Sequence, residues 1–300
     1  MYTSFEVIVI GGSYAGLSGA MALGRASRKT LVIDSGKPCN RNTPYSHNFI
    51  TQDGEIPAVI AAKAKAQVAQ YPTVTFVDDQ AIYGEKSASG FIITTASGKV
   101  YETKKLLFST GITDLFPSIK GIEACWAKTV IHCPYCHGYE VKNQKTAILA
   151  NGEAAVHYAK LLLQWTKKLT IFTNGTPNFT NEDYAGFKKH NIDIIETELA
   201  ELIHANGKLQ KILLNDGRLL HFDVMYYKPA FKMHCDIPIK LGVVVNETGY
   251  FHVDFMQKTS VSGVFAAGDC TGPMRSVANA VAEGTKAGAM INNELAIEAY

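Results

Sequence analysis

The chain has 300 residues, a formal net charge of +2 and 19% charged residues, which is enough length for about two domains. This balanced charge gives no support for nucleic acid or an anionic membrane as a partner. Six cysteines are too few for a secreted disulfide scaffold. Since no basic leader precedes the first strand and no stretch reaches the ~18 apolar residues of a membrane span, we expect a cytoplasmic protein.

The N-terminal region is predicted to form a strand, a glycine turn, a helix and a second strand that ends in an acid. The strands cover residues 7–10 and 30–33, and the helix runs to about residue 26. Backbone N–H groups of such a turn can bind a pyrophosphate, and the acid can accept hydrogen bonds from a ribose. Serine replaces the middle glycine of G-x-G-x-x-G but is small, and a purely structural turn is the alternative. The candidate cofactor-binding residues are Gly11, Ser13, Tyr14, Ala15, Gly16 and Asp34.

The next part of the chain changes character. Residues 37–57 are predicted to form a loop with several prolines and asparagines, and residues 58–70 an amphipathic helix. Alternating strands are predicted at 73–77, 90–95 and 99–103, and a buried strand at 106–108 runs into Ser109-Thr110-Gly111. A small turn at this point lets the backbone approach a cofactor closely, although an ordinary β-turn is the alternative. Thr110 and Gly111 are therefore further candidates for cofactor binding.

Residues 132–138 read His-Cys-Pro-Tyr-Cys-His-Gly. Two cysteines at this spacing can form a reversible disulfide, and a thiolate in a first helical turn is stabilised by the helix dipole. The histidine that follows the second cysteine can carry a proton near neutral pH. Half a zinc site is the alternative, but the sequence offers no second C-x-x-C or histidine pair at ligand spacing. We therefore predict a redox pair and no metal.

The second half of the chain contains another βαβ pattern, with strands at 146–149 and 169–172 and a helix at 154–164. Two hairpins are predicted at Asn206-Gly207 and Asp216-Gly217. A buried strand at 263–267 then stops at Gly268-Asp269, and a helix rich in alanine runs from 277 to about 299. An acid at a strand end can bind a polyol hydroxyl, and a helix N-terminus can meet an electron-rich carbonyl. The candidate cofactor-binding residues here are Asp269, Ser276 and Val277.

In order and spacing these motifs resemble the low-molecular-weight thioredoxin reductases, which are FAD-dependent pyridine nucleotide-disulfide oxidoreductases. The C-P-Y-C-H-G segment is similar to a subgroup that includes dithiol oxidases. The resemblance implies an α/β protein of two Rossmann-like three-layer domains and a homodimer. Residues 1–117 and 246–300 would form a discontinuous FAD-binding domain, and 118–245 an inserted NAD(P)-binding-like domain that carries the C-x-x-C.

The resemblance also implies roles for individual residues. Cys136 would exchange electrons with the flavin, Cys133 would be the outer thiol that reacts with substrate, and His137 would replace an aspartate acid–base. The cofactor contacts that it implies are Asp34 for the adenosine ribose, Asp269 for the ribityl chain and Asn48 for the flavin ring.

The sequence departs from this family at the second nucleotide site. Ala150 replaces the first glycine of the turn, and Glu153 lies near the expected pyrophosphate. Residues 173–175, Thr-Asn-Gly, lack the cations with which NADPH-using members hold the 2′-phosphate, and residues 227–229 replace a turn that contains glycine. We therefore expect weak or no NADPH use, with oxygen, an electron-carrier protein or a second dithiol as the exchange partner of the flavin.

The substrate is expected to be a dithiol or disulfide, in a thioredoxin-like protein or in a small molecule. One alternative is an ordinary NADPH-dependent thioredoxin-disulfide reductase. Another is a non-catalytic flavin-binding redox sensor, in which the disulfide state changes domain orientation or partner binding.

Overall fold

Apolar runs in the sequence form most of the strands. The computed structural model describes residues 3–300, so the first two residues of the predicted 1–117 segment lie outside the described residues. The strands in chain order are β1 (Thr3–Ile10), β2 (Thr30–Asp34), β3 (Val74–Asp78), β4 (Ala81–Ser87), β5 (Gly90–Thr95), β6 (Val100–Phe108), β7 (Ile112–Leu115), β8 (Val130–Ile131), β9 (Thr146–Leu149), β10 (Leu169–Phe172), β11 (Asp193–Ile195), β12 (Leu199–Ala205), β13 (Lys208–Leu214), β14 (Leu219–His221), β15 (Val224–Tyr227), β16 (Ala230–Met233) and β17 (Val264–Ala266). The helices are α1 (Tyr14–Arg25), α2 (Pro57–Val68), α3 (Ile122–Cys125), α4 (Pro134–His137), α5 (Gly152–Leu162), α6 (Asn181–Lys189), α7 (Ile237–Leu241) and α8 (Val277–Ala299), with a 3₁₀ turn at Cys39–Asn42.

The described chain divides into two compact units. The first contains the described residues up to Arg41, then Phe49–Thr113 and Phe231–Tyr300. The second contains Asn42–Asn48 and Asp114–Ala230. Each unit has a sheet with parallel strands and helices packed against it, so the predicted α/β class is confirmed. The predicted FAD-binding domain (1–117 and 246–300) and NAD(P)-binding-like domain (118–245) are defined by the cofactor that each would bind. This division stays a prediction.

The sheet of the first unit has the strand order β3-β2-β1-β6-β5-β4, and β17 also pairs with β6. Strands β1, β2, β3, β6 and β17 run parallel to one another, whereas β5 pairs in the antiparallel direction with both β4 and β6. The long strand β6 has two partners on one side, because its residues 100–103 pair with β5 and its residues 106–108 pair with β17. The parallel strands β1, β6 and β17 therefore end together at the turns that carry the glycine and acid motifs.

Strand β6 differs from the sequence-based prediction of two separate strands. Lys104 and Lys105 lie between the predicted pieces, and two adjacent charges argue against a buried strand. In the structure Lys105 is only 4% exposed. Its Nζ atom lies 2.9 Å from Oε2 of Glu294, and it also pairs with Glu298. A buried charge is tolerated when it is paired and hydrogen-bonded, so the strand continues through this position.

Strand β1 alternates its side chains between two hydrophobic clusters, as expected for a buried strand. Val7 and Val9 pack with helices α1, α2 and α8, whereas Ile8 and Ile10 belong to the cluster on the opposite face. Helices α1 and α8 cross closely because the contact is made by small residues. A Cβ atom on Gly284 would overlap the backbone carbonyl oxygen of Ala15. The absence of a side chain at Gly284 thus allows the two helices to approach closely.

The second unit contains the parallel sheet β11-β10-β9-β15-β8 and a three-stranded antiparallel sheet, β12-β13-β14. Asn206 and Gly207 join β12 to β13 with φ angles of +54° and +82°, the left-handed conformation that a tight hairpin turn requires. Gly217, with φ of +87°, turns the chain between β13 and β14. Both predicted hairpins are confirmed. None of the helices formed by residues 3–300 combines the length and apolar character needed to cross a membrane.

Candidate active site

The glycine turn after β1 packs directly against the end of β6. Gly11 has a φ angle of +103°, and a Cβ atom there would overlap the carbonyl oxygen of Ser109. The Ser109 hydroxyl donates a 2.7 Å hydrogen bond to the Gly11 carbonyl. A residue with a side chain therefore cannot replace Gly11, since both the backbone conformation and the space exclude it. The turn and Ser109-Thr110-Gly111 form one backbone surface.

Asp34 and Ser13 complete this turn. Oδ1 of Asp34 accepts a 3.0 Å hydrogen bond from the backbone N–H of Gly12, so the acid at the end of β2 lies beside the turn. Ser13 has extended backbone angles of φ −93° and ψ −162°, which any residue adopts without strain. Serine is thus accommodated at the position of the middle glycine, and Ala15 and Gly16 are buried in the first turn of α1.

Tyr14 uses its side chain to hold a neighbouring loop. Its buried hydroxyl donates to the carbonyl of Pro57 at 3.0 Å and accepts from Nδ2 of Asn40 at 3.1 Å. Burial raises the pKa of Tyr14, so the hydroxyl keeps its proton. Any contact of Tyr14 with a dinucleotide would therefore come from its backbone N–H at the start of α1.

Thr110 carries an unsatisfied polar group at the end of β6. Its Oγ1 atom is buried and has no hydrogen-bond partner within residues 3–300. Leaving a buried hydroxyl unpaired costs about 1–3 kcal/mol, so native proteins rarely do so without a reason. Gly111, next to it, has a φ angle of +64°. A cofactor atom beside the glycine turn would supply the missing partner.

The C-terminal part of this site is organised by Glu283, which the sequence analysis did not select. Its Oε2 atom accepts from the backbone N–H of Gly268 at 2.7 Å and from the Thr271 hydroxyl at 3.0 Å. Asp269, in the turn between them, pairs with Arg275 at 3.4 Å. The sequence contained a signal for Glu283, because an acid among the small residues of a closely packed helix is unusual and indicates a specific partner.

Ser276 and Val277 begin helix α8. The Ser276 hydroxyl accepts a 3.1 Å hydrogen bond from the backbone N–H of Asn279 and so caps the helix. Val277 is partly buried against the core. The two side chains therefore serve the helix, and a contact with a cofactor would involve the N–H groups of its first turn.

The residues of the first unit fit a flavin dinucleotide. Neighbouring strands of its sheet bring three features to one edge. These features are the glycine turn in front of α1, the acid at the end of β2 and the segment that leads into α8. The orphaned Thr110 hydroxyl lies at the same edge of the sheet. The turn would hold the pyrophosphate, Asp34 the adenosine ribose and Asp269 the ribityl hydroxyls.

The two cysteines of the C-x-x-C segment lie in the second unit, directly after β8. Cys133 and Cys136 form a disulfide, with their Cα atoms 5.3 Å apart. Cys133 caps the one-turn helix α4, and its Sγ atom accepts a 3.2 Å hydrogen bond from the backbone N–H of Cys136. Both cysteines are partly exposed, whereas Pro134 between them is buried. The pair can therefore be reached by a reactant while α4 is held in the core.

His137 follows the disulfide and packs against a histidine from a distant part of the sequence. Its ring lies edge-on to that of His47, with the centroids 6.4 Å apart. Burial lowers the pKa of His137, the charge of His47 lowers it further, and Glu140 acts in the opposite direction. His137 is therefore a neutral base near pH 7, as its predicted role requires.

Asn48 and His132 both belong to the second unit. Asn48, with a left-handed φ angle of +60°, is grouped with the second unit and not with the glycine turns of the first. Its proposed contact with the flavin ring stays a prediction. His132 stacks on Trp126 with ring centroids 5.6 Å apart, so its ring packs against the core of this unit.

Comparison with known proteins identifies the family. The family described as pyridine nucleotide-disulphide oxidoreductase matches residues 5–284. The chain belongs to this family.

Individual relatives agree with this assignment. The chain is 30% identical to thioredoxin reductase tcpT of Claviceps purpurea, over 97% of this chain and 94% of the relative. It is 29% identical to thioredoxin reductase sirT of Leptosphaeria maculans, over 96% and 93%. The crystal structure of an oxidoreductase from Agrobacterium tumefaciens superposes with a TM-score of 0.92 and is 34% identical, covering 98% of this chain and 99% of that one. The protein is a thioredoxin reductase-like, FAD-dependent oxidoreductase that acts on thiol and disulfide groups.

The second nucleotide turn of this pyridine nucleotide-disulphide oxidoreductase is closed by its own side chains. Oδ1 of Asn151 accepts hydrogen bonds from the backbone N–H groups of Gly152 and Asn178, both at 2.8 Å. Its Nδ2 atom donates to the carbonyl of Thr176, also at 2.8 Å. The loop that follows β10 is thereby tied to the start of α5. The Gly152 N–H, which a phosphate would need, is already used.

The segment that would meet a 2′-phosphate has an internal structure of its own. The Thr173 hydroxyl donates to the carbonyl of Gly175 at 2.6 Å, and Oδ1 of Asn174 accepts from the backbone N–H of Leu199 at 2.8 Å. These side chains stabilise the loop and supply no positive charge. Where NADPH-using members carry cations, this chain thus has polar side chains that hydrogen-bond to backbone groups of this unit.

Two other cysteines have a protonated thiol at neutral pH. Burial raises the pKa of Cys235 to about 11 and that of Cys270 to about 12. A protonated thiol is a poor nucleophile. Neither Cys235 nor Cys270 therefore offers a reactive thiolate near neutral pH.

Proposed function

We propose that this enzyme exchanges two electrons between a dithiol or disulfide substrate and FAD through Cys133 and Cys136, with weak or no use of NADPH. FAD would be held by residues 1–117 and 246–300, and the reactive pair by residues 118–245. Asn151, which ties the second nucleotide turn to the following loop, carries the part of this proposal that concerns NADPH.

The residues of the second unit support a thiol–disulfide exchange. In the direction of substrate oxidation, His137 takes a proton from one substrate thiol, and the resulting thiolate attacks Sγ of Cys133. The bond between Cys133 and Cys136 breaks, and Cys136 leaves as a thiolate. The second substrate thiol passes its proton to the Cys136 thiolate and attacks the substrate sulfur of the mixed disulfide, which closes the substrate disulfide and releases Cys133 as a thiolate. Two electrons have then moved from the substrate to the pair Cys133 and Cys136. FAD, when bound, would accept these electrons from the cysteine pair.

The second nucleotide site supports a limited role for NADPH. A pyrophosphate at the start of α5 needs free backbone N–H groups, but Asn151 already satisfies the N–H of Gly152. Glu153, in the first turn of α5, places a negative charge where a phosphate would bind. A nucleotide would have to displace the tied loop and then bind without a cation from residues 173–175.

The substrate class follows from the chemistry of the pair. A thioredoxin-like protein and a small-molecule dithiol both present two thiols to Cys133, and the relatives from Claviceps purpurea and Leptosphaeria maculans bear the name thioredoxin reductase. Oxygen or an electron-carrier protein would complete the cycle in place of NADPH. We infer a homodimer in the cytoplasm from the resemblance to low-molecular-weight thioredoxin reductases and from the composition.

The decisive experiment is an anaerobic titration of the holoprotein with dithiothreitol, NADPH and NADH, followed by the absorbance of oxidised flavin. We expect bleaching by dithiothreitol and little bleaching by either nucleotide. Cys136→Ser should abolish bleaching by dithiothreitol while FAD stays bound, and Cys235→Ser should bleach as the wild type does.

The other outcomes separate the alternatives. Fast and complete bleaching by NADPH would establish an ordinary NADPH-dependent thioredoxin reductase and overturn the proposed nucleotide preference. Reduction of the disulfide without any bleaching would show that the pair does not exchange electrons with FAD, which is the behaviour of a redox sensor.

A further inference from the structure

The reactive histidine has a neighbour that is remote in sequence. The segment Asn42–Asn48 belongs to the second unit, although the residues on both sides of it belong to the first. Through this segment His47 reaches the ring of His137, and the two imidazoles meet edge to face with centroids 6.4 Å apart. This distance and the interplanar angle of 86° are those of a packed aromatic pair.

Glu140 lies beside His47. Its Oε1 atom lies 3.6 Å from Nδ1 of His47, an ion pair whenever that imidazole is protonated. The His47 side chain is 18% exposed and the Glu140 side chain 39% exposed, so the carboxylate links the histidine pair to the surface. Among the described residues, the charged groups that act on the pKa of His137 are His47 and Glu140, and the disulfide adjoins its backbone.

We propose that His47, paired with Glu140, is a positioning residue that keeps the His137 imidazole neutral. This inference depends on the proposed function only where it assigns His137 the task of accepting a proton from the substrate thiol. The ring packing and the ion pair carry it, and neither depends on the identity of the substrate.

The electrostatics agree with this arrangement. Glu140 alone would favour a protonated His137, because a carboxylate stabilises a nearby cation. A charged His47 has the opposite effect, and together with burial it leaves the pKa of His137 below its ordinary value of 6.5. His137 therefore stays neutral to a lower pH than an exposed histidine would, and it can accept a thiol proton there.

The sign of the predicted effect follows directly. Removal of His47 takes away a repulsive charge, so the pKa of His137 must rise. His137 is then protonated at a higher pH, and the acid limb of the pH–rate profile moves upward. Well above both values the base is neutral in either protein, so the rates converge there.

The test compares His47→Gln with the matched control His190→Gln, which changes an exposed histidine at the end of α6. Two quantities are measured on the holoproteins. The first is the midpoint of the His137 ring titration, obtained by NMR. The second is the pH dependence of anaerobic flavin reduction by dithiothreitol. We expect His47→Gln to raise both midpoints and leave the alkaline rate unchanged, and the control to change neither.

A second variant, His47→Lys, separates charge from ring packing. Because the lysine keeps a positive charge, the His137 midpoint should stay at or below the wild-type value. A midpoint raised as much by lysine as by glutamine would overturn the electrostatic role. An unmoved midpoint in His47→Gln, with a rate lowered equally at every pH, would show that His47 is merely structural and overturn the proposal. If dithiothreitol fails to bleach the flavin in any of these proteins, the proposed function fails, while the NMR midpoints still decide the role of His47.

Discussion

The side chain of Asn151 accepts a hydrogen bond of 2.8 Å from the backbone N–H of Asn178, which lies 27 residues further along the chain. The same oxygen caps helix α5 through Gly152, so one amide group joins a helix start to the loop after β10. In a dinucleotide-binding unit these two elements normally face the cofactor. Here they face each other, which is the structural basis for the expected weak use of NADPH.

Asn151→Ala should lower the stability of the second unit by about 1 kcal/mol, because an N-cap hydrogen bond and a loop contact are both lost. Both tryptophans, Trp126 and Trp165, lie in this unit, so their fluorescence during urea unfolding reports on it alone. Asn181→Ala, which changes an exposed residue at the start of α6, is the matched control. Equal midpoints for the two variants would contradict the role given to Asn151.

Thr110→Val should weaken FAD binding about fivefold to tenfold, since roughly 1 kcal/mol of hydrogen-bond energy to the cofactor is lost. The apoprotein should be no less stable, because valine has a similar shape and removes a hydroxyl that is unpaired within the described residues. Thr73→Val makes the same change at another buried, unpaired hydroxyl of the first unit. FAD dissociation constants and apoprotein melting temperatures check this, and FAD affinity unchanged by Thr110→Val would mean that its hydroxyl does not touch the cofactor.

Glu294→Gln should destabilise the first unit at neutral pH and have little effect in acid. Burial alone raises the pKa of Glu294, but its bonds to Lys258 and Lys105 outweigh this and leave the pKa below its ordinary value of 4.5. The contribution to stability is therefore complete above pH 4.5 and is lost as the pH falls through the lower folded value. Melting temperatures of wild type and variant, followed by flavin release, should differ at pH 7 and converge in acid. A difference that persists once the carboxyl is protonated would point to packing instead.

Gly284→Ala should destabilise the first unit by about 1–3 kcal/mol, because the new methyl group must push α8 away from α1. The Cβ atom would overlap the carbonyl of Ala15, a backbone atom that cannot move alone. Gly272→Ala is the control, since the described residues leave open space around its Cβ position. Thermal unfolding followed by flavin release should show a loss for Gly284→Ala alone, and a neutral result there would mean that the two helices separate easily.

Local patterns were sufficient to predict the main strands, the glycine turn and both hairpins. The turn at Gly11 and the hairpin at Asn206-Gly207 are dictated by backbone conformations that few residues adopt. Strand β6 was predicted as two pieces, because the partner that neutralises Lys105 lies 189 residues away. No sequence spacing could reveal a pairing over that distance.

The candidate site shows the same division. One short motif selected Cys133, Cys136 and His137, and the structure joins the two cysteines in the disulfide that their spacing allows. Their catalytic roles stay predictions. His47 was missed because it meets His137 only through the tertiary structure, 90 residues away in the chain. The changed residues at 150–153 indicated a weakened nucleotide site, but the tie from Asn151 to Asn178 could be seen only in the folded unit.

The disulfide closes a very short loop, since its two cysteines are only three residues apart. A cross-link stabilises a fold mainly by restricting the unfolded chain, and this effect shrinks as the closed loop shortens. The local structure is held by other means, with Pro134 buried and Gly138 packed against the ring of Trp165. Opening and closing this bond therefore changes the electron content of the enzyme at a smaller cost in folding stability than a disulfide across a long loop would carry. The pair can be cycled at every turnover while the architecture around it stays intact.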